Sequence, residues 1–133
     1  MAQKENNIIP MIFDEAFYRK MATQKWRQQD YKKAAEYYEK VLELSPKDFD
    51  IQQHYAQCLV KLNIGKKAER LFYENIVKDF HVAESFYELS QLNIELNEPN
   101  KAFLFGINYV ILSEDKDFRE MLERSEERRV GKE

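Results

Sequence analysis

Residues 30–46 read DYKKAAEYYEKVLELSP, and this stretch decides the fold. Ala34 is followed four residues later by Tyr38. The pair recurs every 34 residues, as Ala68 with Phe72 and then Ala102 with Gly106. A second small residue stands twelve before each alanine, at Ala22, Ala56 and Ser90. Two antiparallel helices joined by a short turn approach closely only where side chains are small, and larger residues one turn away then interlock around the crossing. Small pairs at one fixed period therefore mark stacked helical hairpins, an internal repeat.

Composition agrees. The 133 residues amount to one domain, with only three Gly and three Pro, 34% charged and 44% apolar residues. Such a chain favours helices over strands and a packed core over disorder. The net charge of −3 gives no general reason to expect nucleic acid. Cys58 is the only cysteine, so no intrachain disulfide can form and a reducing compartment is expected. The apolar run Ile8–Phe13 is too short for a secretory signal, and Ala102–Leu112 is too short to span a bilayer. A cytoplasmic protein without a membrane partner is the expectation.

The repeated residues resemble the tetratricopeptide repeat, whose pattern is W-x2-L-G-x2-Y, then A-x3-F, then a proline. The first repeat offers Tyr18, Met21, Ala22, Lys25, Ala34, Tyr38, Val41 and Pro46. The second offers Gln52, Tyr55, Ala56, Leu59, Ala68, Phe72, Asn75 and Phe80, and the third Phe86, Leu89, Ser90, Asn93, Ala102, Gly106, Tyr109 and Glu114. Gly106 departs from the pattern, and the closing proline is missing from the later two. The resemblance covers about residues 14–113. The chain also resembles the N-terminal part of a group of cytosolic tetratricopeptide proteins of Gram-positive bacteria, a likeness that brings no biochemical activity. The expected fold is all-α, a right-handed α-solenoid of three helical hairpins with a short C-terminal capping helix.

Local signals set the boundaries. Residues 1–13 read as an N-terminal extension, kept extended at Ile8–Phe13 by Pro10. Asp14, Asp30 and Asp48 are N-cap residues, and Phe13 with Tyr18 has hydrophobic-staple spacing. Helices are expected over about 15–28, 31–44, 49–62, 66–78, 82–96 and 99–112, with Asn63-Ile64-Gly65 as a turn and Pro99 at a helix start. The repeats then occupy about 15–48, 49–82 and 83–116, with a cap over 117–123. The last ten residues, RSEERRVGKE, resemble read-through of sequencing-adaptor DNA, so 124–133 is expected to be a non-native tail. The helix AFLFGINYVIL is apolar nearly all round and needs cover on both sides. Phe118, Met121 and Leu122 could supply part of that cover, which leaves self-association through the apolar last repeat open.

Chemistry-bearing patterns are few. His54 and Cys58 stand at i, i+4, but a metal site wants three or four ligands, and His81 is the only other histidine. No nucleophile–base pattern, phosphate loop or dinucleotide fingerprint is present, so neither an enzyme nor a cofactor nor a metal is expected. Lys32, Lys33, Lys66, Lys67 and Lys101 fall at the starts of the second helices of the hairpins, where a cation opposes the helix dipole. They form the alternative site, for RNA or an acidic partner.

The resemblance implies a different principal site. First helices of such hairpins line a concave groove through fixed places, here Ala16, Arg19, Thr23, Trp26 and Arg27, then Asp50, Gln53, Gln57, Val60 and Lys61, then Glu84, Tyr87, Gln91, Ile94 and Glu95. The residues expected to bind a protein or peptide partner are Arg19, Trp26, Arg27, Gln53, Gln57, Lys61, Glu84, Tyr87, Gln91 and Glu95. Trp26 and Tyr87 are the expected anchors, and the charge passes from basic to acidic along the series. Chaperone-binding relatives hold a C-terminal carboxylate with Lys, Asn and Arg. The matching places here are Arg19, Thr23, His54, Glu84 and Glu88, and the two carboxylates would repel that ligand. Clamp-type chaperone binding is therefore rejected.

Overall fold

The computed structural model of the chain describes residues 14–131, with side-chain surroundings as far as 128. The N-terminal extension, including the Phe13 half of the staple, lies outside the described residues. Among them there are seven helices and no strand: α1 Glu15–Arg27, α2 Tyr31–Leu44, α3 Phe49–Lys61, α4 Gly65–Val77, α5 Val82–Glu95, α6 Pro99–Ser113 and α7 Lys116–Gly131. The starts of α2, α4 and α6 fall 34 residues apart, at 31, 65 and 99, as the small-residue period requires. No helix among the described residues is long and apolar enough to cross a membrane.

The helix ends explain the boundaries. Asp14, Asp30 and Asp48 each accept a hydrogen bond from the N–H three residues on, at Phe17 (3.0 Å), Lys33 (3.2 Å) and Ile51 (3.1 Å). One orphan donor at each N-terminus is thereby satisfied. The turns after α1, α3 and α5 are built alike. Gln29, Asn63 and Asn97 take left-handed backbone at φ 61°, 62° and 59°. The next residue's N–H then reaches back five positions, Asp30 to Lys25 O (2.9 Å), Ile64 to Leu59 O (2.8 Å) and Glu98 to Asn93 O (2.8 Å). This is the Schellman closure, made without glycine. Gly65, expected in the turn, is instead the first residue of α4, because Asn63 supplies the left-handed step.

The chain divides into two compact units, Met1–Ala68 and Glu69–Glu133. In the first, Ala22, Ala34, Ala56 and Ala68 are all fully buried, as crossing-point residues must be. Tyr38, Val41, Tyr55, Cys58 and Leu59 fill the surrounding core. Phe17, Tyr18 and Tyr37 add an aromatic cluster where α1 meets α2, with ring centroids 5.6–6.5 Å apart.

In the second unit the crossing of α5 and α6 is marked by a direct bond, Ser90 Oγ donating to Ala102 O at 2.8 Å. Gly106 explains its own departure from the repeat pattern. A Cβ there would meet both terminal methyls of Leu122 at 2.8 Å and the Phe118 ring at 3.1 Å. The volume an aromatic would take is occupied by α7. Phe118 and Leu122 are buried, and Met121 is 36% exposed. The N-terminus of α7 is fastened by Asp115, which accepts from Phe118 N (3.0 Å) and from Tyr109 Oη (2.6 Å).

The final helix is longer than the expected cap. It begins 34 residues after α5 and continues into the stretch set aside as a tail. Pairs at i, i+4 line it, Arg119 with Glu123 (3.7 Å) and Glu120 with Arg124 (3.8 Å), in a sequence of good helix formers. It covers only one side of α6: Leu104, Ile111 and Leu112 remain 60%, 70% and 54% exposed.

Candidate protein-binding surface

In the first unit, α1 carries an open groove lined by Arg19, Lys20, Thr23, Gln24, Arg27 and Gln28, with a volume near 650 Å³. Arg27 is exposed, and Trp26 beside it is half-buried. The indole meets Tyr31 edge-on, with centroids 5.1 Å apart. Lys61, from the last turn of α3, places its Nζ 5.9 Å from the centre of the same Tyr31 ring. Trp26, Tyr31 and Lys61 thus form one aromatic–cation cluster, and Arg27, next in sequence to Trp26, lines the neighbouring groove. Both cations stand in last turns, where they also complement the helix dipole.

Arg19 has a different task. Its Nε donates to Glu15 (3.0 Å) and its Nη2 to Asp48, the N-cap of α3, while Ser45 Oγ donates to Glu15. The hydroxyl of Ser45 and then the guanidinium hold Glu15 below the usual carboxylate range. Partial burial pushes Asp48 up, but Arg19 and the N–H groups of Ile51 and Asp50 outweigh it and hold the carboxyl low. Asp48 in turn raises Arg19. Arg19 lines the groove and ties α1 to the start of α3 at once.

Two other expected groove residues of this unit are less available. Gln53 is 2% exposed, an interior residue rather than a surface one, because α3 turns that side of itself into the core beside Gln52 and Ala56. Gln57 is half-buried. His54 stacks on Tyr38 at 6.0 Å, while Cys58, one turn on, is fully buried and its thiol is pushed up to about 12 by that burial. A thiol so placed is a packing group rather than a nucleophile. No cluster of three or more metal-ligating residues occurs among the described residues.

In the second unit, Tyr87 is half-buried in an aromatic trio with Tyr109 (5.0 Å) and Phe118 (5.2 Å). Gln91 Nε2 donates to its hydroxyl at 3.1 Å. The expected anchor is therefore partly covered by α7, and Gln91 positions it. Glu84 and Glu95 are exposed, Glu84 lying 3.4 Å from His81 Nδ1. A cleft of about 480 Å³ opens between α6 and α7, with Phe103, Ile107 and Val110 on one wall and Leu122 and Glu123 on the other. All five lysines of the alternative site are exposed, and Lys67 stands 5.3 Å from the centre of the Tyr55 ring.

Tyr31, Lys20 and Gln24 belong to the surface of the first unit, yet fixed groove places do not include them. Tyr31 opens the second helix of its hairpin, and only the three-residue turn after α1 brings its ring to the indole. The edge-on pairing was foreshadowed only by the closeness of Trp26 and Tyr31 in sequence.

Comparison with known proteins agrees with this architecture. Residues 25–72 match the family model described as Tetratricopeptide repeat. The fold is similar to that of a solved structure described as the crystal structure of MamA protein, with a TM-score of 0.72 and 20% sequence identity. The alignment covers 84% of this chain and 61% of that one, so this chain spans under two thirds of that structure's length. No curated protein matches the sequence significantly. The fold class is an all-helical α-solenoid of helical hairpins.

Proposed function

We propose that this tetratricopeptide-repeat chain acts without catalysis, holding a segment of a partner protein against the first-helix face of residues 15–61. The observation that carries the reading is the cluster of Trp26, Tyr31 and Lys61 beside the groove that Arg27 helps to line. Half-buried aromatics flanked by cations supply what binding hot spots need, a rigid apolar surface with charge at its edge. The fitting segment carries an apolar or aromatic side chain for the Trp26–Tyr31 corner and acidic residues for Arg27 and Lys61. On the second unit, Glu84 and Glu95 offer carboxylates to a basic stretch, and Tyr87 offers its uncovered edge. The single buried cysteine suits a reducing, cytoplasmic setting.

Trp26 is the only tryptophan, so its fluorescence reports on this surface alone. Short synthetic peptides combining Glu or Asp with Leu or Phe should shift its emission saturably. The response should weaken as salt rises. Arg27→Ala and Lys61→Ala should each reduce affinity while the helical signal is kept. Peptide binding that leaves the indole emission unchanged, or that both substitutions leave untouched, would sink the reading.

A further inference from the structure

We propose that the cleft between α6 and α7 seats an amphipathic helix of a partner protein, apolar toward α6 and basic toward α7. This surface is separate from the binding face above, and the inference stands without it. The cleft has a volume of about 480 Å³. On its α6 wall stand Phe103, Ile107, Val110 and Ile111, at i, i+4, i+7 and i+8. On its α7 wall Arg119, Glu123, Glu126 and Glu127 stand at the same spacing. Each wall is thus one face of one helix, and the cleft follows both helices for about two turns. Phe103, Ile107 and Val110 are half-buried, and Ile111 is 70% exposed.

The repeat period says what kind of group fits. α4 and α5 stand one period before α6 and α7, starting at 65 against 99 and at 82 against 116. That earlier pair is packed by a helix. α6 meets α4 where Tyr73 approaches Phe105 edge-on, with centroids 5.7 Å apart, and it meets α5 where Phe86 lies 6.3 Å from the same ring. Ile107 in the cleft stands one period after Tyr73. Arg119, Glu123, Glu126 and Glu127 stand one period after Ser85, Leu89, Leu92 and Asn93, all four of them buried. The place that α6 takes on α4 and α5 is, on α6 and α7, a cleft among the described residues, and a helix is the shape that fits it.

Charge narrows the occupant. Where α5 carries neutral side chains, α7 presents three carboxylates and one guanidinium, and Arg119 Nε lies 3.7 Å from Glu123. The wall is acidic on balance. A helix apolar on every side would bury those carboxylates short of counter-charge, whereas Lys or Arg along its α7 side pairs with them. Leu, Ile or Phe on its other side meets the apolar wall of α6. A second copy's α6 does not fit, since Lys101 is its only cation. Glu126 and Glu127 fall within the 124–133 stretch, while the apolar wall and Glu123 precede it.

The test uses the full chain and a fluorescein-labelled synthetic peptide of about 16 residues, with Leu at i, i+4, i+7 and i+11, Lys along one flank and Ala elsewhere. Its anisotropy should rise saturably with added protein, and the response should weaken as salt rises. Ile107→Glu should lower the affinity at least about tenfold. Ile107→Gln serves if the glutamate variant loses the circular dichroism of the parent. Glu123→Lys should weaken the Lys peptide about two- to fivefold and strengthen a twin peptide carrying Glu in place of Lys. Arg27→Ala should leave the titration unchanged and Trp26 emission should not move, which separates this result from that of the first unit's binding face. Absence of saturable binding overturns the proposal, as does binding that the Ile107 substitutions leave intact. A Glu twin held as tightly by the unmodified chain overturns the basic character of the occupant. Self-association abolished by Ile107→Glu would put a second copy in the cleft and overturn the choice of a partner protein.

Discussion

At the scale of single residues, Trp26 and Asp48 carry the sharpest expectations. The indole is half-buried against Tyr31 rather than enclosed. Trp26→Ala should therefore cost clearly less than the about 3–5 kcal/mol of a core tryptophan, while weakening partner binding by at least about 2 kcal/mol. Chemical denaturation and peptide titration on the one variant separate the two effects. Asp48 holds its carboxyl low in the folded state, chiefly through Arg19 acting against partial burial. A carboxyl held below its unfolded value of about 4 stabilises the fold above that pH and ceases to as pH falls through the folded value. Asp48→Asn keeps an N-cap but loses the ion pair. It should cost less than about 1 kcal/mol at neutral pH, since the pair is partly solvated. The difference between variant and parent should shrink as pH is lowered below about 4 in urea melts. Arg19 was singled out from its place in the repeat. Its partners Glu15 and Asp48 were not, because nothing local says how closely α1 approaches the start of α3. Gln53 fails as a surface residue for the related reason that a fixed place in a pattern does not state how deep a helix sits.

At the scale of elements, six helices were legible almost to the residue. The caps Asp14, Asp30 and Asp48 fix the starts of the first three helices on local chemistry that burial does not alter, and the small-residue period carries the spacing to the next three. The seventh was only half legible. Phe118, Met121 and Leu122 marked an apolar stripe, but the length of α7 comes from ion pairs and propensity in a stretch with no repeat signal. Its role was written in Gly106, which reads as a defect in the pattern and proves to be the seat of Leu122 and Phe118. Gly106→Phe would restore the pattern and evict those two side chains. Overpacking of this kind should cost about 1–3 kcal/mol. It should also free α7 from α6, visible as faster proteolysis within 116–131 while α5 and α6 stay protected. An unchanged cleavage pattern would mean that α7 is held elsewhere.

At the scale of the whole molecule, stability in repeat architectures is a sum over repeats and their neighbours. The turns give that sum a practical meaning. Gln29, Asn63 and Asn97 hold the same left-handed step, each followed by the same reach back to the preceding helix. Deleting residues 30–63 would join Gln29 to Ile64 and recreate one such turn, with α1 now leading into α4. The shortened chain should fold with a helical spectrum and a denaturant slope reduced with the surface it buries. Deleting residues 30–66 instead removes the turn and should leave a poorly folded product. Equal folding of both would show that the turn geometry does not govern the joint. The three turns are in effect interchangeable splice points. A chain of this design can be lengthened or shortened by whole cassettes, and its stock of binding faces changed, without redrawing any helix.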